Sequence, residues 1–186
     1  MQALIIGDGG VSKGFQKALE AKNIKYTVYT RETGNLYDLP SQITVVFDLI
    51  IYTMGDIVWK RIAKLEKSNL EEIFTPNLYG FIILSTIIPK ILKQKGHIII
   101  LGADLDRITI PNLSLYAASK AALETFVKIA QKEMRRYNFI LLKPHEIDTP
   151  IWQKVPITPQ NPVSPETFAL QTPQRSRVLK RLYIPS

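Results

Sequence analysis

The chain has 186 residues, 46% hydrophobic and 22% charged, with a mean hydropathy of +0.02. These values fit one globular domain with a real core and exclude collagen-like, disordered and multi-domain chains. The absence of cysteine excludes disulfides and thiolate metal sites, and with only two histidines, His97 and His145, no His-built zinc site is expected. A reducing cytoplasm is the expected location, and the net charge of +8 leaves anionic ligands open as partners.

The first 150 residues alternate strand and helix signals, which argues for an α/β fold with a parallel sheet. Residues 3–7 read as a short buried strand, 12–22 as a helix with Phe15, Ala18 and Leu19 on one face, and 26–30 as a second strand. Residues 31–42 are turn-rich. The β-branched run 43–52 predicts a third strand. Residues 70–94 predict a helix interrupted near Pro76 and ended after Pro89, with Gly96 as the stop. Residues 97–101 predict a buried strand. Residues 115–137 predict an amphipathic helix with Ala118, Ala122, Phe126, Ile129 and Ala130 toward a core, and 139–142 the last strand. Ser164-Pro165 looks like an N-cap and first helical residue, opening a short helix over 165–170, and 175–182 is a further helix candidate. The longest apolar stretch, 79–88, is about half the ~20 residues of a membrane helix, and the N-terminus lacks a basic region before its short apolar run. No membrane association is expected.

From Pro150 onward lie seven of the twelve prolines. Residues 151–186 hold Lys154, Arg175, Arg177, Lys180 and Arg181 against one acid, Glu166, and no glycine. This shift divides the chain into 1–150, the main domain, and 151–186, a Pro-rich basic appendage too short for its own core. The basic segment could attract nucleic acid, but only Tyr183 lies among its basic residues and no standard motif is present, so a solvated basic surface is the expected reading.

The first strand runs into Gly7-Asp8-Gly9-Gly10, then Ser12-Lys13-Gly14 and a helix. A glycine-rich strand-to-helix turn lets backbone N–H groups approach a phosphate at the positive helix end. The spacing departs from G-x-G-x-x-G, so on this loop alone a tight turn in another α/β protein remains equally open.

Tyr116-Ala117-Ala118-Ser119-Lys120-Ala121-Ala122 resembles the Y-x-A-S-K-A-A signature of the short-chain dehydrogenase/reductase family. Neighbouring motifs follow in the same order. Gly7 heads the glycine loop, and Asp48 to Gly55 resembles D-V-L-V-N-N-A-G. Asn77-Leu78-Tyr79-Gly80 resembles N-x-x-G, Gly96 to Ile100 the G-x-I-V strand, and Pro144 to Pro150 P-G-x-V-x-T-P. Pro111 precedes Tyr116 by five. The resemblance covers residues 3–150.

It implies a Rossmann-type, doubly wound, three-layer parallel sheet, shortened relative to the family and of strand order near 2-1-4-5-6 in family numbering. It implies an NAD(P)(H)-dependent oxidoreductase acting on a small carbonyl or alcohol substrate. Tyr116, Lys120 and Asn77 would take the catalytic places. Gly7, Asp8, Gly9, Gly10, Ser12, Lys13, Arg31, Thr53, Met54, Gly55, Pro144, His145, Ile147 and Thr149, with Tyr116 and Lys120, would bind cofactor. Arg31, directly after the second strand, and Lys13 favour NADP(H) over NAD(H), because a base there accommodates a 2′-phosphate. The helices 71–94 and 115–137 correspond to the pair that builds the family's subunit interface, which implies a homodimer or homotetramer. The alternative is that the C-terminal segment folds back over the apolar face of 78–88.

Tyr116 and Lys120 lie one turn apart on one helix face. An ammonium ~4 Å from a phenol is worth about 4 kcal/mol at an effective dielectric of 20, enough to lower a tyrosine pKa from ~10 toward ~7. The sequence also departs from the family. Ala103 stands where a serine would donate to the reacting oxygen, with Ser114 and Thr109 as displaced substitutes. Tyr52-Thr53-Met54-Gly55 replaces N-N-A-G, and His145 replaces a glycine. The chain between the second strand and Asp48 is short, and the region after Pro150 is abbreviated. These departures keep open a second reading, a catalytically impaired scaffold with a nucleotide-binding or regulatory role.

Overall fold

The computed structural model describes residues 1–30, 32–34 and 38–172. The expectations for Arg31 and for a helix at 175–182 lie outside the described residues. In chain order the elements are β1 (Gln2–Ile6), α1 (Gly10–Glu20), β2 (Lys25–Tyr29), α2 (Leu39–Gln42), β3 (Phe47–Tyr52), α3 (Lys67–Phe74), a π-helical turn (Thr75–Tyr79), α4 (Gly80–Ile91), β4 (Leu92–Leu101), α5 (Leu105–Ile108), α6 (Ser114–Glu133), β5 (Asn138–Leu142) and α7 (Pro165–Gln171). The strands form one parallel sheet of order β2-β1-β3-β4-β5. This is the expected Rossmann-type order with one family strand skipped: among the described residues between β2 and β3 the only element is α2.

The central strands are apolar without alternation because both faces are covered. Leu4, Ile6, Ile50, Tyr52, Ile98 and Ile100 face α4 and α6, while Ala3, Ile5, Leu49, Ile51 and Ile99 face α1 and α7. Each fully buried aliphatic side chain contributes about 1.5–3 kcal/mol.

Four sequence expectations change. The third strand starts at Phe47, not residue 43, because Val45 and Val46 are exposed at 45% and pair with no strand. Pro89 lies inside the last turn of α4. That helix ends at Ile91, and Gly96 sits within β4 rather than stopping a helix. On α6 the buried residues are Leu115, Ser119, Lys120, Leu123, Glu124, Val127 and Ala130, whereas Ala118 and Ile129 are exposed. The apolar surface of this helix is thus wider than its sheet-facing stripe.

Finally, the C-terminal segment up to residue 172 does not cover α4. Ser164 caps α7, its Oγ accepting from the Thr167 N–H at 3.1 Å, and α7 packs on α1 at the opposite face of the sheet. Phe168 meets Phe15 edge-on at 6.2 Å. Gly14 lets the helices touch, since a Cβ there would lie 2.3 Å from the Pro165 carbonyl oxygen.

Residues 67–91 form one helical run of 25 residues, long and apolar enough by composition to cross a membrane. In the fold Ile73, Leu78, Phe81, Leu84, Ile88 and Ile91 of this run are buried, and all but Ile73 belong to the core on one side of the sheet.

Candidate active site

A cleft of ≈ 1070 Å³ opens along the carboxyl ends of the strands, where open α/β sheets place ligands. Its floor begins at the turn after β1. Gly7 has φ +121°, a left-handed conformation, and a Cβ there would stand 2.6 Å from Thr53 Oγ1, so both backbone and space require glycine. Gly9 faces open space, and Gly10 starts α1. Ser12 is fully buried, its hydroxyl donating to the Gly7 carbonyl at 2.7 Å. It pins the turn from behind rather than lining the cleft. Lys13 is exposed and also off the cleft.

Thr53, Met54 and Gly55 leave β3 along the cleft. The Thr53 hydroxyl donates to the Ile6 carbonyl at 3.0 Å, tying the ends of β3 and β1 together. Tyr52, buried just before them, donates its hydroxyl to the Pro76 carbonyl at 2.6 Å. It thereby fixes the π-helical turn that carries Asn77. Asn77 is fully buried. Its Oδ1 accepts from the Asp56 N–H at 2.7 Å, and its Nδ2 donates to the Asp56 carbonyl at 3.0 Å and to Ser119 Oγ at 2.8 Å. Asn77 therefore braces the cleft wall and does not line it.

Tyr116 and Lys120 line the cleft from α6. Lys120 is 4% exposed. Its ammonium donates to the Leu101 carbonyl at the end of β4 at 3.0 Å and lies 5.8 Å from the centre of the Tyr116 ring. A Cβ on Gly55 would come within 3.5 Å of this amine. Burial pushes the Lys120 pKa down to about 8 and the Tyr116 phenol up to about 12. The expected lowering of the phenol pKa is thus reversed in this structure. The ammonium is engaged by a backbone carbonyl and faces the ring, and loss of water around the phenol dominates.

The other expected site residues on the cleft are Asp8, Pro144, His145, Ile147 and Thr149. Ala103 is buried and offers no donor. Neither displaced substitute reaches the cleft: Thr109 donates to Leu105 O at 2.7 Å, and Ser114 Oγ is buried without a partner.

Sequence reasoning missed the distal wall, formed by Asp56, Glu71, Glu72, Thr75, Ile151, Trp152 and Lys154. The signal for Asp56 was its place directly after Gly55. The others meet only through long-range packing.

The profile of the short chain dehydrogenase family matches residues 42–160, well over half of the chain. The chain belongs to the short-chain dehydrogenase family. Among its family relatives, the NADPH-dependent aldehyde reductase-like protein, chloroplastic, of Arabidopsis thaliana is 32% identical over 111 residues, 52% of this chain and 41% of that protein. The 3-amino-tetrahydro-pyrrolizinone reductase of Xenorhabdus hominickii is 26% identical over 114 residues, 60% and 40% of the two chains. The match thus spans about two fifths of the length of these curated relatives. A solved alcohol dehydrogenase from Thermococcus sibiricus complexed with 5-hydroxy-NADP superposes with a TM-score of 0.74 at 16% identity, over 100% of this chain and 92% of that one. A short chain dehydrogenase from Burkholderia cenocepacia J2315 in complex with NADP gives 0.73 at 18%, over 100% and 85%. At these identities the structural likeness concerns the fold.

Proposed function

We propose that the cleft binds an NADP-type dinucleotide in preference to NAD, and that the chain moves hydride between it and a small carbonyl or alcohol substrate. One observation carries the reading: Tyr116 and Lys120 face the same cleft as the Gly7–Gly10 turn. The residues present fit the dinucleotide. The turn is held open at Gly7 and unobstructed at Gly9, α1 has no acid in its first turn, and a buried cation stands at the other end.

Bound there, the nicotinamide supplies the hydride chemistry. The protein supplies position and the proton. Burial keeps the Tyr116 phenol protonated at neutral pH, so in the reduction direction it acts as the acid toward the carbonyl oxygen. Lys120 offers N–H donors to ribose hydroxyls, and Asn77 keeps Asp56 and the adjoining Gly55 in place. Arg31, directly after the second strand in sequence, supports the NADP preference, as does the NADPH-dependent Arabidopsis relative. The cysteine-free composition fits a cytoplasmic setting, and the exposed Tyr79 and Ile129 on the α4 and α6 side fit association into a homodimer or homotetramer.

A second reading rests on Ala103: a dinucleotide-binding scaffold with impaired catalysis. Turnover of a carbonyl panel with NADPH separates the two. Oxidation of NADPH that depends on substrate and on Tyr116 supports the enzyme, and saturable NADPH binding without turnover supports the scaffold.

A further inference from the structure

The segment after Thr149 returns to the cleft as a single 3-10 turn, Pro150–Lys154. Trp152 lines the cleft, and its indole N–H donates to the Ile147 carbonyl at 2.7 Å. Two residues on, Lys154 Nζ reaches both carboxylate oxygens of Asp56, each at 2.6 Å, with Glu72 Oε1 at 3.6 Å. Lys154 and Asp56 are 98 positions apart.

Asp56 is not an ordinary surface acid. Its backbone N–H and carbonyl are both held by the Asn77 side chain, which also bonds Ser119. The Ser119 hydroxyl in turn donates to the Tyr116 carbonyl at 2.8 Å. A continuous line of contacts therefore joins the returning segment to the helix that carries Tyr116 and Lys120. Val155, next in sequence, is buried with Ile57, which follows Asp56, and Leu113, which precedes the helix of Tyr116.

We propose that Lys154 is a positioning residue: its ion pair with Asp56 fixes residues 147–157 as the wall of the substrate end of the cleft, in register with Asn77 and Tyr116. The inference rests on the functional reading given above. Exposed ion pairs contribute little stability by themselves. Lys154 and Asp56 side chains are 47% and 21% exposed, so the pair acts by selecting one placement of a short segment, and salt weakens it.

The test uses the full chain and compares Lys154→Met, Lys154→Arg and the exchanged pair Asp56→Lys with Lys154→Asp. Hydrogen exchange of the amides at 147–157 is expected to accelerate threefold or more in Lys154→Met and to stay near the parent rate in Lys154→Arg. The exchanged pair is expected to recover part of the protection. Acceleration below threefold in Lys154→Met, or an equal loss in Lys154→Arg, overturns the proposal. In turnover of benzaldehyde at saturating NADPH, Lys154→Met should raise KM threefold or more with kcat within twofold. A fall in kcat at constant KM overturns the positioning role. A parent chain that binds no NADPH in calorimetry contradicts the functional reading instead, and the exchange rates then decide the ion pair alone.

Discussion

Lys120 and Leu101 meet through a 3.0 Å hydrogen bond from the buried ammonium to the carbonyl at the end of β4. The contact places a cation where the central strands point their carboxyl ends, at the cost of burying it. Burial lowers the pKa of this amine from 10.5 to about 8. In the unfolded chain the amine keeps its ordinary value, so between pH 8 and 10.5 the unfolded state binds more protons than the folded one. Stability therefore rises with pH across that window. Between pH 7.5 and 9.5 the gain from this residue is about 2 kcal/mol, read by urea denaturation. Lys120→Met should remove that slope and be more stable than the parent at pH 7.5. An unchanged slope in the variant would show that the amine is not desolvated. Above pH 10.5 the lysine gain is complete and the trend reverses, because burial holds the Tyr116 phenol protonated in the folded state after the unfolded state has begun to ionise.

The glycine turn separates two substitutions that look alike in sequence. Gly7→Ala meets a left-handed backbone and a Thr53 hydroxyl at 2.6 Å, and should cost ~1–3 kcal/mol of stability. Gly9→Ala meets nothing within 4 Å and should cost under ~1 kcal/mol. Equal costs would mean that the turn is not held in this conformation.

Tyr116→Phe should abolish carbonyl reduction with little change in NADPH affinity or melting temperature. The ring stays and only the proton donor is lost. Full turnover in this variant would remove Tyr116 from the chemistry.

Ala103→Ser should raise turnover. One positioned donor is worth ~10²–10³ in rate, and the buried alanine supplies none. With unchanged NADPH binding, unchanged turnover would place the limitation in the substrate pocket and favour the scaffold reading.

Much of the layout was legible in the chain. Ile98 to Ile100 and Leu49 to Ile51 read as strands because central parallel strands are buried on both faces. The Ser164-Pro165 pair announced α7 through local capping chemistry. Gly7, Tyr116 and Lys120 carried the cleft because their roles depend on spacing along one element. Spacing suggests a cofactor contact for Ser12 and a catalytic place for Asn77, yet both side chains face inward as braces, and spacing alone does not tell the front of a wall from its back. The phenol pKa went the opposite way because burial is a tertiary quantity. Lys154 was counted only as part of a basic tail, since its partner Asp56 lies 98 residues away.

The central claim is that this cleft takes an NADP-type dinucleotide between the glycine turn and Lys120. Calorimetric titration of the chain with NADPH and with NADH tests it most directly. The account predicts saturable binding near one NADPH per chain, tighter than NADH and weakened at least tenfold by Lys120→Ala. Absence of saturable binding by either nucleotide at millimolar concentration would contradict it.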